Sequence, residues 1–140
     1  MDICYNNFKI MTGGVKVKVL IVDDAPTTRR LIKYILEQDG RFGIIGEAKN
    51  GQEAIEFVKN THPDIVTLDL IMPVKGGMDA AKEILKIAKG AKILLVTSIK
   101  DREIEIQAKN IGIDYILQKP FTSKELIETL NKMIEETKNG

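Results

Sequence analysis

Four apolar segments of this chain, rich in β-branched residues, each lead into a polar signal. Continuous apolar runs of this length are typical of strands that are buried on both faces, as in a parallel sheet. Because parallel strands end at the same edge of a sheet, the signals are expected to meet there, where open α/β sheets bind ligands. The segments and signals are Val17 to Val22 with Asp23-Asp24, Ile65 to Leu68 with Asp69, Ile93 to Val96 with Thr97-Ser98, and Tyr115 to Leu117 with Lys119-Pro120.

Between these strands, apolar residues recur at helical spacing, with caps and glycine stops at the ends. A short strand at Ile44-Ile45 completes five βα units. Right-handed crossovers place helices on both faces of such a sheet, so we expect a doubly wound α/β domain with a five-stranded parallel sheet and five helices. The helical sets are Leu31, Ile32, Ile35 and Leu36 after Pro26 and before Gly40; Ala54, Ile55 and Val58 after Asn50 and Glu53; Ala81, Ile84 and Leu85 within Met78 to Ala88; Ile104, Ala108 and Ile111 before Gly112; and Leu126, Ile127, Leu130, Met133 and Ile134 after the capping box of Thr122 and Glu125.

The chain is long enough for one domain, which we place at residues 15–140. Residues 1–14 end in Gly13-Gly14 and are interpreted as a loose leader, for which Met11 offers an alternative start.

Composition excludes several classes of function. Charged residues make up 29% of the chain and nearly cancel, at a formal net charge of +1, so neither a nucleic acid nor a membrane surface is an expected partner. No apolar run is long enough to span a bilayer, and the N-terminus is too polar for a signal peptide. Cys4 is the only cysteine, which rules out an internal disulfide. A cytoplasmic location is expected.

The converging residues suit phosphoryl chemistry assisted by a metal ion. Asp23, Asp24 and Asp69 would repel one another without a cation, and their oxygens are the ligands that Mg²⁺ prefers. We therefore predict a Mg²⁺ site, which Mn²⁺ can also occupy. A carboxylate can accept a phosphoryl group when the donor is held in line and its charge is neutralised. Lys119 supplies a compact cation for one phosphoryl oxygen, and the Thr97 hydroxyl can donate to another.

Each signal also has an ordinary structural interpretation. The pair Asp23-Asp24 could cap a helix, and Asp69 could be a turn carboxylate. Lys119 alone would be a solvated surface lysine. Their joint occurrence, each closing a strand, favours a site because independent signals agree. His62, the only histidine, lies in a predicted loop and is interpreted as solvated rather than as a phosphohistidine.

At these residues the chain resembles the receiver domain of two-component response regulators. The similarity runs from about Lys16 to the C-terminus, and Thr27 to Ile32 resembles stand-alone receivers of the chemotaxis type. The motifs are Val19-Leu20-Ile21-Val22-Asp23-Asp24, Thr67-Leu68-Asp69-Leu70-Ile71-Met72-Pro73, Thr97-Ser98 and Lys119-Pro120-Phe121. The resemblance implies a flavodoxin-like sheet with strand order 2-1-3-4-5.

The resemblance also implies roles for individual residues. Asp69 would be the phosphoacceptor, and it would bind Mg²⁺ directly together with Asp24. Asp23 would act on the metal through water, and the backbone carbonyl of Ile71 would complete the protein ligands. Thr97 and Lys119 would contact the phosphoryl group.

Three further residues concern access and switching. Small Ser98 would leave room above Asp69, and Pro120 would fix the loop after Lys119, with a cis peptide as one option. The family usually has an aromatic switch residue three positions before the lysine, where this chain has Ile116. Tyr115 is its neighbour, and side chains alternate faces along a strand, so Tyr115 is expected on the opposite side.

The expected function is that of a phospho-accepting signalling module rather than an enzyme. A sensor histidine kinase would supply the phosphoryl group, and a downstream protein would bind the face formed by the fourth helix, fifth strand and fifth helix. Chemotaxis or motility is the expected pathway, and a phosphorelay intermediate is an alternative.

Two other classes fit less well. Haloacid-dehalogenase-type phosphatases place their nucleophile after the first strand in an Asp-x-Asp pattern, whereas this chain has adjacent Asp23-Asp24. Flavodoxin-like cofactor binders need a first loop that cradles phosphate, and two carboxylates would repel it.

Overall fold

A computed structural model describes residues 16–139 of the chain. The leader predicted for residues 1–14 lies outside this range. Strands and helices alternate strictly, as the sequence predicts. In order, they are β1 (Val17–Val22), α1 (Pro26–Asp39), β2 (Phe42–Ala48), α2 (Gly51–Asn60), β3 (Ile65–Asp69), α3 (Gly77–Ile87), β4 (Lys92–Thr97), α4 (Arg102–Ile111), β5 (Tyr115–Gln118) and α5 (Ser123–Asn139).

The five strands form one parallel sheet in the order β2-β1-β3-β4-β5. This confirms the doubly wound α/β fold and the strand order that the resemblance implies. Because all strands are parallel, the residues that follow them lie at a single edge of the sheet.

Two hydrophobic clusters cover the two faces of the sheet. Leu20 and Val22 point into the cluster beneath α2, α3 and α4, whereas Val19 and Ile21 point into the cluster beneath α1 and α5. Successive side chains of a strand alternate between faces. A strand in the middle of this sheet therefore needs apolar residues on both faces, which explains why β1 is apolar at every position from Val19 to Val22.

Caps fix the starts of α2 and α5. The Asn50 side chain accepts a hydrogen bond from the backbone N–H of Glu53, and the Glu53 carboxylate accepts one from the N–H of Lys49, one residue before the cap. Thr122 and Glu125 form the predicted reciprocal capping box. These bonds satisfy N–H groups that have no partner within the helix.

The second strand is longer than the predicted Ile44-Ile45 pair. Gly43 and Gly46 disrupt the strand pattern in the sequence, because glycine is a poor strand former. In the structure Gly46 lies beneath the ring of Phe57, which would overlap any Cβ at this position. The register of β1 against β2 also shifts at Val19/Leu20, so one residue of β2 is passed over.

The predicted apolar set of the first helix is only partly buried. Ile32, Ile35 and Leu36 pack against the sheet, but the Leu31 side chain is 45% exposed. Leu31 thus adds an apolar side chain to the surface near the site. In the described part of the chain, no helix combines the length and apolar character needed to cross a membrane.

Candidate functional site

The predicted site residues meet at the carboxyl edge of the sheet. Asp23 and Asp24 follow β1, while Asp69 and Thr97 are the last residues of β3 and β4. Asp69 pairs in register with Val96, so Thr97 lies one residue beyond it on the neighbouring strand. Lys119 follows β5 at the end of the sheet, and its backbone N–H donates to the carbonyl of Thr97.

Three carboxylates form a compact cluster. Asp23, Asp24 and Asp69 each offer an oxygen atom within 4.8 Å of the others. Asp23 is 1% exposed and Asp69 is 7% exposed, whereas Asp24 faces solvent. Two acidic groups are therefore held away from water, while the third stands at the mouth of the site.

Asp23 accepts two hydrogen bonds, one of them from Lys119. One Asp23 oxygen accepts from the backbone N–H of Ala25 at 2.9 Å, and the other accepts from Lys119 Nζ at 2.9 Å. Lys119 Nζ also lies 3.6 Å from Asp69 Oδ1. The lysine thus bridges the two buried carboxylates and stands closer to Asp23.

The pKa of Asp69 is raised above its ordinary value. Burial is the main cause, because removing water disfavours the charged carboxylate, and the negative charge of Asp23 adds to it. Lys119 opposes this rise, as does a backbone hydrogen bond from Leu70, and Asp24 adds a smaller raising effect. Asp69 therefore sits where a negative charge is poorly neutralised by the protein alone.

The chemistry of this donor set fits a divalent cation. Hard carboxylate oxygens at close range are suitable ligands for Mg²⁺, which also retains water molecules. A cation between them would offset both the desolvation of Asp69 and the repulsion from its neighbours. The Ile71 carbonyl belongs to the loop after β3, and its peptide follows directly on Asp69-Leu70.

That loop is held tightly against the strand it follows. The N–H of Gly77 donates to the carbonyl of Leu70 at 2.8 Å, and a Cβ at Gly77 would overlap the carbonyl oxygen of Asp69. Only glycine permits this approach. Ile71, in contrast, is 61% exposed, so most of its side chain is in contact with solvent.

Thr97 and Ser98 take different positions. Thr97 is buried, and its hydroxyl oxygen accepts from the N–H of Ile99 at 3.0 Å. Ser98 is exposed and lines an open, largely apolar groove of about 380 Å³, together with Thr28, Leu31, Lys119, Pro120 and Phe121. The peptide bond between Lys119 and Pro120 is cis.

Tyr115 and Ile116 point to opposite faces of β5, as predicted from strand alternation. Ile116 is half-buried against the cluster beneath α4, and Tyr115 packs against the cluster beneath α1 and α5. Next to them, the Gln118 side chain donates to the carbonyl of Ile99 at 2.9 Å. The predicted switch position therefore lies on the α4 side of the sheet.

Three residues of the site neighbourhood are not found by sequence reasoning. Arg29 contacts the backbone of Asp23, Glu47 pairs with Arg29, and Gln118 holds the loop after β4. Their sequence signals are ordinary polar residues on a helix or strand, and their partners come from distant parts of the chain. The fold alone reveals them. His62 is exposed in its loop, as predicted.

Comparison with known proteins agrees with this geometry. The family described as the response regulator receiver domain matches residues 19–131. The chain is 42% identical over 116 residues to the chemotaxis protein CheY of Thermotoga maritima, covering 83% of this chain and 96% of that protein. It is 48% identical over 106 residues to a protein-glutamate methylesterase/protein-glutamine glutaminase of Pseudoalteromonas atlantica, covering 74% of this chain but only 28% of that protein.

Solved structures show the same relationship. A CheX–CheY complex with BeF₃ and Mg²⁺ from Borrelia burgdorferi contains a chain that superposes with a TM-score of 0.83 at 26% identity, covering 89% of this chain and 95% of that one. The chain therefore belongs to the response regulator receiver domain family. Its similarity to chemotaxis proteins called CheY extends over nearly the full length of those relatives.

Proposed function

We propose that this protein is a phospho-accepting receiver in which Asp69 takes a phosphoryl group in the presence of Mg²⁺. The observation that carries the proposal is the approach of three carboxylates to within 4.8 Å of one another, with Lys119 bridging the two buried ones. Family membership supports the same role. The roles assigned to single residues rest on this geometry and on the resemblance.

In the proposed reaction, an oxygen of Asp69 attacks the phosphorus atom of the donor. A new O–P bond forms, and the bond from phosphorus to the leaving group breaks with its electron pair on the leaving group. With a sensor histidine kinase as donor, that group is a histidine nitrogen. Lys119 neutralises charge on the phosphoryl oxygens, and the Thr97 hydroxyl turns from the Ile99 N–H to donate to one of them.

Bound Mg²⁺ would supply Lewis-acid charge neutralisation at the phosphoryl oxygens. Asp24 and Asp69 would hold it directly, with Asp23 acting through water and the Ile71 carbonyl completing the set. Asp23 fits this indirect role because both of its oxygens already accept hydrogen bonds from Ala25 and Lys119. Mn²⁺ has the same ligand preferences and would substitute.

The output of the module would be phosphorylation-dependent protein binding at the face of α4, β5 and α5. Ile116 and Gln118 border this face and line a groove with Glu105 and Lys109 of α4. Similarity to CheY proteins supports chemotaxis or motility as the pathway. The named complex of a CheY with CheX shows that one such relative binds another protein.

The test is phosphorylation by a small donor. Intact-mass measurement after incubation with acetyl phosphate and Mg²⁺ should show one added phosphoryl group on the wild type and none on Asp69→Asn. Chelation with EDTA should abolish the label, and Mn²⁺ should restore it. Labelling of Asp69→Asn at the wild-type level would show that the acceptor is a different residue.

The same assay distinguishes the alternatives. A haloacid-dehalogenase-type phosphatase would release inorganic phosphate from esters with steady, rapid turnover, whereas a receiver would carry at most one equivalent of label and would leave phosphate esters intact. A phosphorelay intermediate would pass its label to a histidine phosphotransfer protein when one is added. We expect one equivalent of label and slow loss to water.

A further inference from the structure

The contacts of Arg29 connect the proposed metal site to α1 and the edge strand β2. Its Nη1 donates to the backbone carbonyl of Asp23 at 2.6 Å, and its Nε donates to Glu47 Oε1 at 3.1 Å. The Arg29 side chain is 18% exposed and its bond to the Asp23 carbonyl is partly buried, whereas the bond to Glu47, which is 36% exposed, lies at the surface. A planar guanidinium can direct two donors in fixed directions, which lysine cannot do.

The carbonyl that Arg29 binds belongs to the peptide unit between Asp23 and Asp24. Since this unit is planar, a hydrogen bond to its oxygen also sets the direction of the Asp24 N–H and limits where the Asp24 Cα can lie. Arg29 thereby acts on the backbone that carries an exposed carboxylate of the cluster.

Asp24 needs such support more than its neighbour does. The Asp23 carboxylate is fixed by Ala25 and Lys119. The Asp24 carboxylate faces solvent, and within residues 16–139 no hydrogen bond holds it. Its position relative to Asp69 is therefore determined by the backbone of the loop after β1.

Glu47 keeps Arg29 in place from the other side. It accepts from Arg29 through Oε1, while Lys33 Nζ approaches Oε2 at 3.7 Å. Lys33 is thus a second cation on the same carboxylate, and the described residues show no hydrogen bond or ion pair between Lys33 and Asp23. This makes Lys33 a matched control for the loss of a positive charge.

We propose that Arg29, braced by Glu47, is a positioning residue that orients the Asp23–Asp24 peptide so that Asp24 can bind Mg²⁺. The inference rests on the proposed function, because it assigns a further residue to the same metal site. It predicts that removal of a cation weakens binding of another cation.

That prediction opposes simple electrostatics. Arg29 is a positive charge near three carboxylates, so its removal should tighten Mg²⁺ binding if only Coulomb attraction matters. If the guanidinium instead positions Asp24, its removal should weaken Mg²⁺ binding about tenfold, at the low end of the effect of residues that orient metal ligands. The two explanations therefore predict changes of opposite sign.

The experiment is a Mg²⁺ titration of the full chain followed by amide NMR, with thermal unfolding as a parallel measurement of folding. Arg29→Gln removes both the positive charge and the planar guanidinium. Arg29→Lys keeps the charge but loses the two donors in fixed directions. Lys33→Gln removes a charge from the same carboxylate. We expect Kd for Mg²⁺ to rise about tenfold in both Arg29 variants and to stay the same or fall in Lys33→Gln.

The outcomes separate this inference from the proposed function. Absence of Mg²⁺ binding by the wild type would contradict the metal site itself. Binding by the wild type together with unchanged or tighter binding by Arg29→Gln would overturn the positioning role alone. Wild-type Mg²⁺ affinity in Arg29→Lys would overturn the positioning role as well, because a positive charge without the planar guanidinium would then suffice. If Arg29→Gln does not fold, Arg29→Lys carries the test.

Discussion

At the residue scale, Asp69 is distinguished by how incompletely its charge is neutralised. Lys119 Nζ lies 2.9 Å from Asp23 but 3.6 Å from Asp69. Burial and the neighbouring carboxylates raise the pKa of Asp69, and a more basic carboxylate is a better nucleophile. The residue proposed to attack phosphorus is therefore the buried carboxylate with the longer contact to Lys119.

A prediction at this scale concerns how long the phosphoryl group lasts. Ile71 lies two residues after Asp69 in the chain, and its side chain is 61% exposed. It also has no group that can orient or deprotonate a water molecule. We expect Ile71→Asn to lose its phosphoryl group several-fold faster than the wild type, since an amide can hold a water near phosphorus.

The measurement is phosphate release after removal of acetyl phosphate by rapid desalting. Ile71→Val is the matched control, because it keeps an apolar β-branched side chain and should decay at the wild-type rate. Equal rates for Ile71→Asn and Ile71→Val would contradict the role assigned to this position.

Sequence reasoning succeeds for residues whose role follows from their place on a strand. Asp23, Asp69 and Thr97 follow apolar runs, and parallel strands bring their ends together. It fails for Arg29, because its role depends on a carbonyl six positions back in the chain and on Glu47 from a different strand. Contacts of this kind are set by the packing of α1 on β2, which no local pattern encodes.

At the scale of elements, two hydrogen bonds to the backbone of a single residue, Ile99, hold the loop after β4. The N–H of Ile99 donates to the Thr97 hydroxyl, and its carbonyl accepts from the Gln118 side chain of β5. If the Thr97 side chain rotates toward a phosphoryl group, its oxygen moves away from the Ile99 N–H and that hydrogen bond is lost. The change at Thr97 is thereby coupled to the start of α4 and, through Gln118, to β5.

This coupling predicts how the output face responds. On activation, we expect Ile99 to shift and Ile116 to repack in its half-buried position, whereas Tyr115 stays against the opposite cluster. Ile116 is β-branched, has few rotamers and is smaller than the aromatic residue that the family usually has at this position. The change at the output face should therefore consist of small backbone displacements. Amide NMR with and without beryllofluoride should show the largest shifts at Ile99 and in α4.

Two results would contradict this prediction. A Tyr115 ring that moves to the α4 face would mean that the register of β5 changes on activation. Unchanged Ile99 shifts would mean that the Thr97 hydroxyl does not turn. Gln118→Leu is the control variant: it frees the Ile99 carbonyl without touching Thr97, so its resting spectrum should differ from the wild type mainly in the loop after β4.

Prediction of elements from sequence follows the same logic as prediction of residues. Strands buried on both faces, such as β1 and β3, are evident as apolar runs. The edge strand β2 extends over Phe42–Ala48 although its sequence contains two glycines, because Phe57 fills the space above Gly46 and the ladder with β1 continues past the shifted register. A tertiary contact therefore overrides the local preference.

At the scale of the whole molecule, one sheet with two cores carries the site at its edge. Burial on both faces holds β1, β3 and β4 in place, so Asp23 and Asp69 are kept close together at the edge of the sheet. Folding energy thus offsets the repulsion within the cluster. Relief of that repulsion, by protonation, substitution or metal binding, should increase the stability of the entire domain.

The raised pKa of Asp69 fixes the sign of this effect. Below its ordinary value of 3.8, the carboxyl is protonated in both the folded and the unfolded chain and contributes no difference. Above 3.8 the unfolded chain ionises first, so stability falls as pH rises toward the folded-state pKa, and the full cost persists at neutral pH. Asp69→Asn, which remains neutral, should therefore have a higher Tm than the wild type at pH 7 without Mg²⁺.

Thermal unfolding followed by circular dichroism from about pH 3 to pH 7 tests this expectation. The Tm difference between Asp69→Asn and the wild type should be small at the acid end and should widen as pH rises through the titration of Asp69. Added Mg²⁺ should then narrow it, because a cation that binds only the folded state raises the wild-type Tm more than that of a variant with one ligand fewer. A Tm difference that stays constant with pH would show that the charge on Asp69 costs the folded protein nothing, and a difference that Mg²⁺ leaves unchanged would show that Asp69 is not a ligand of the cation.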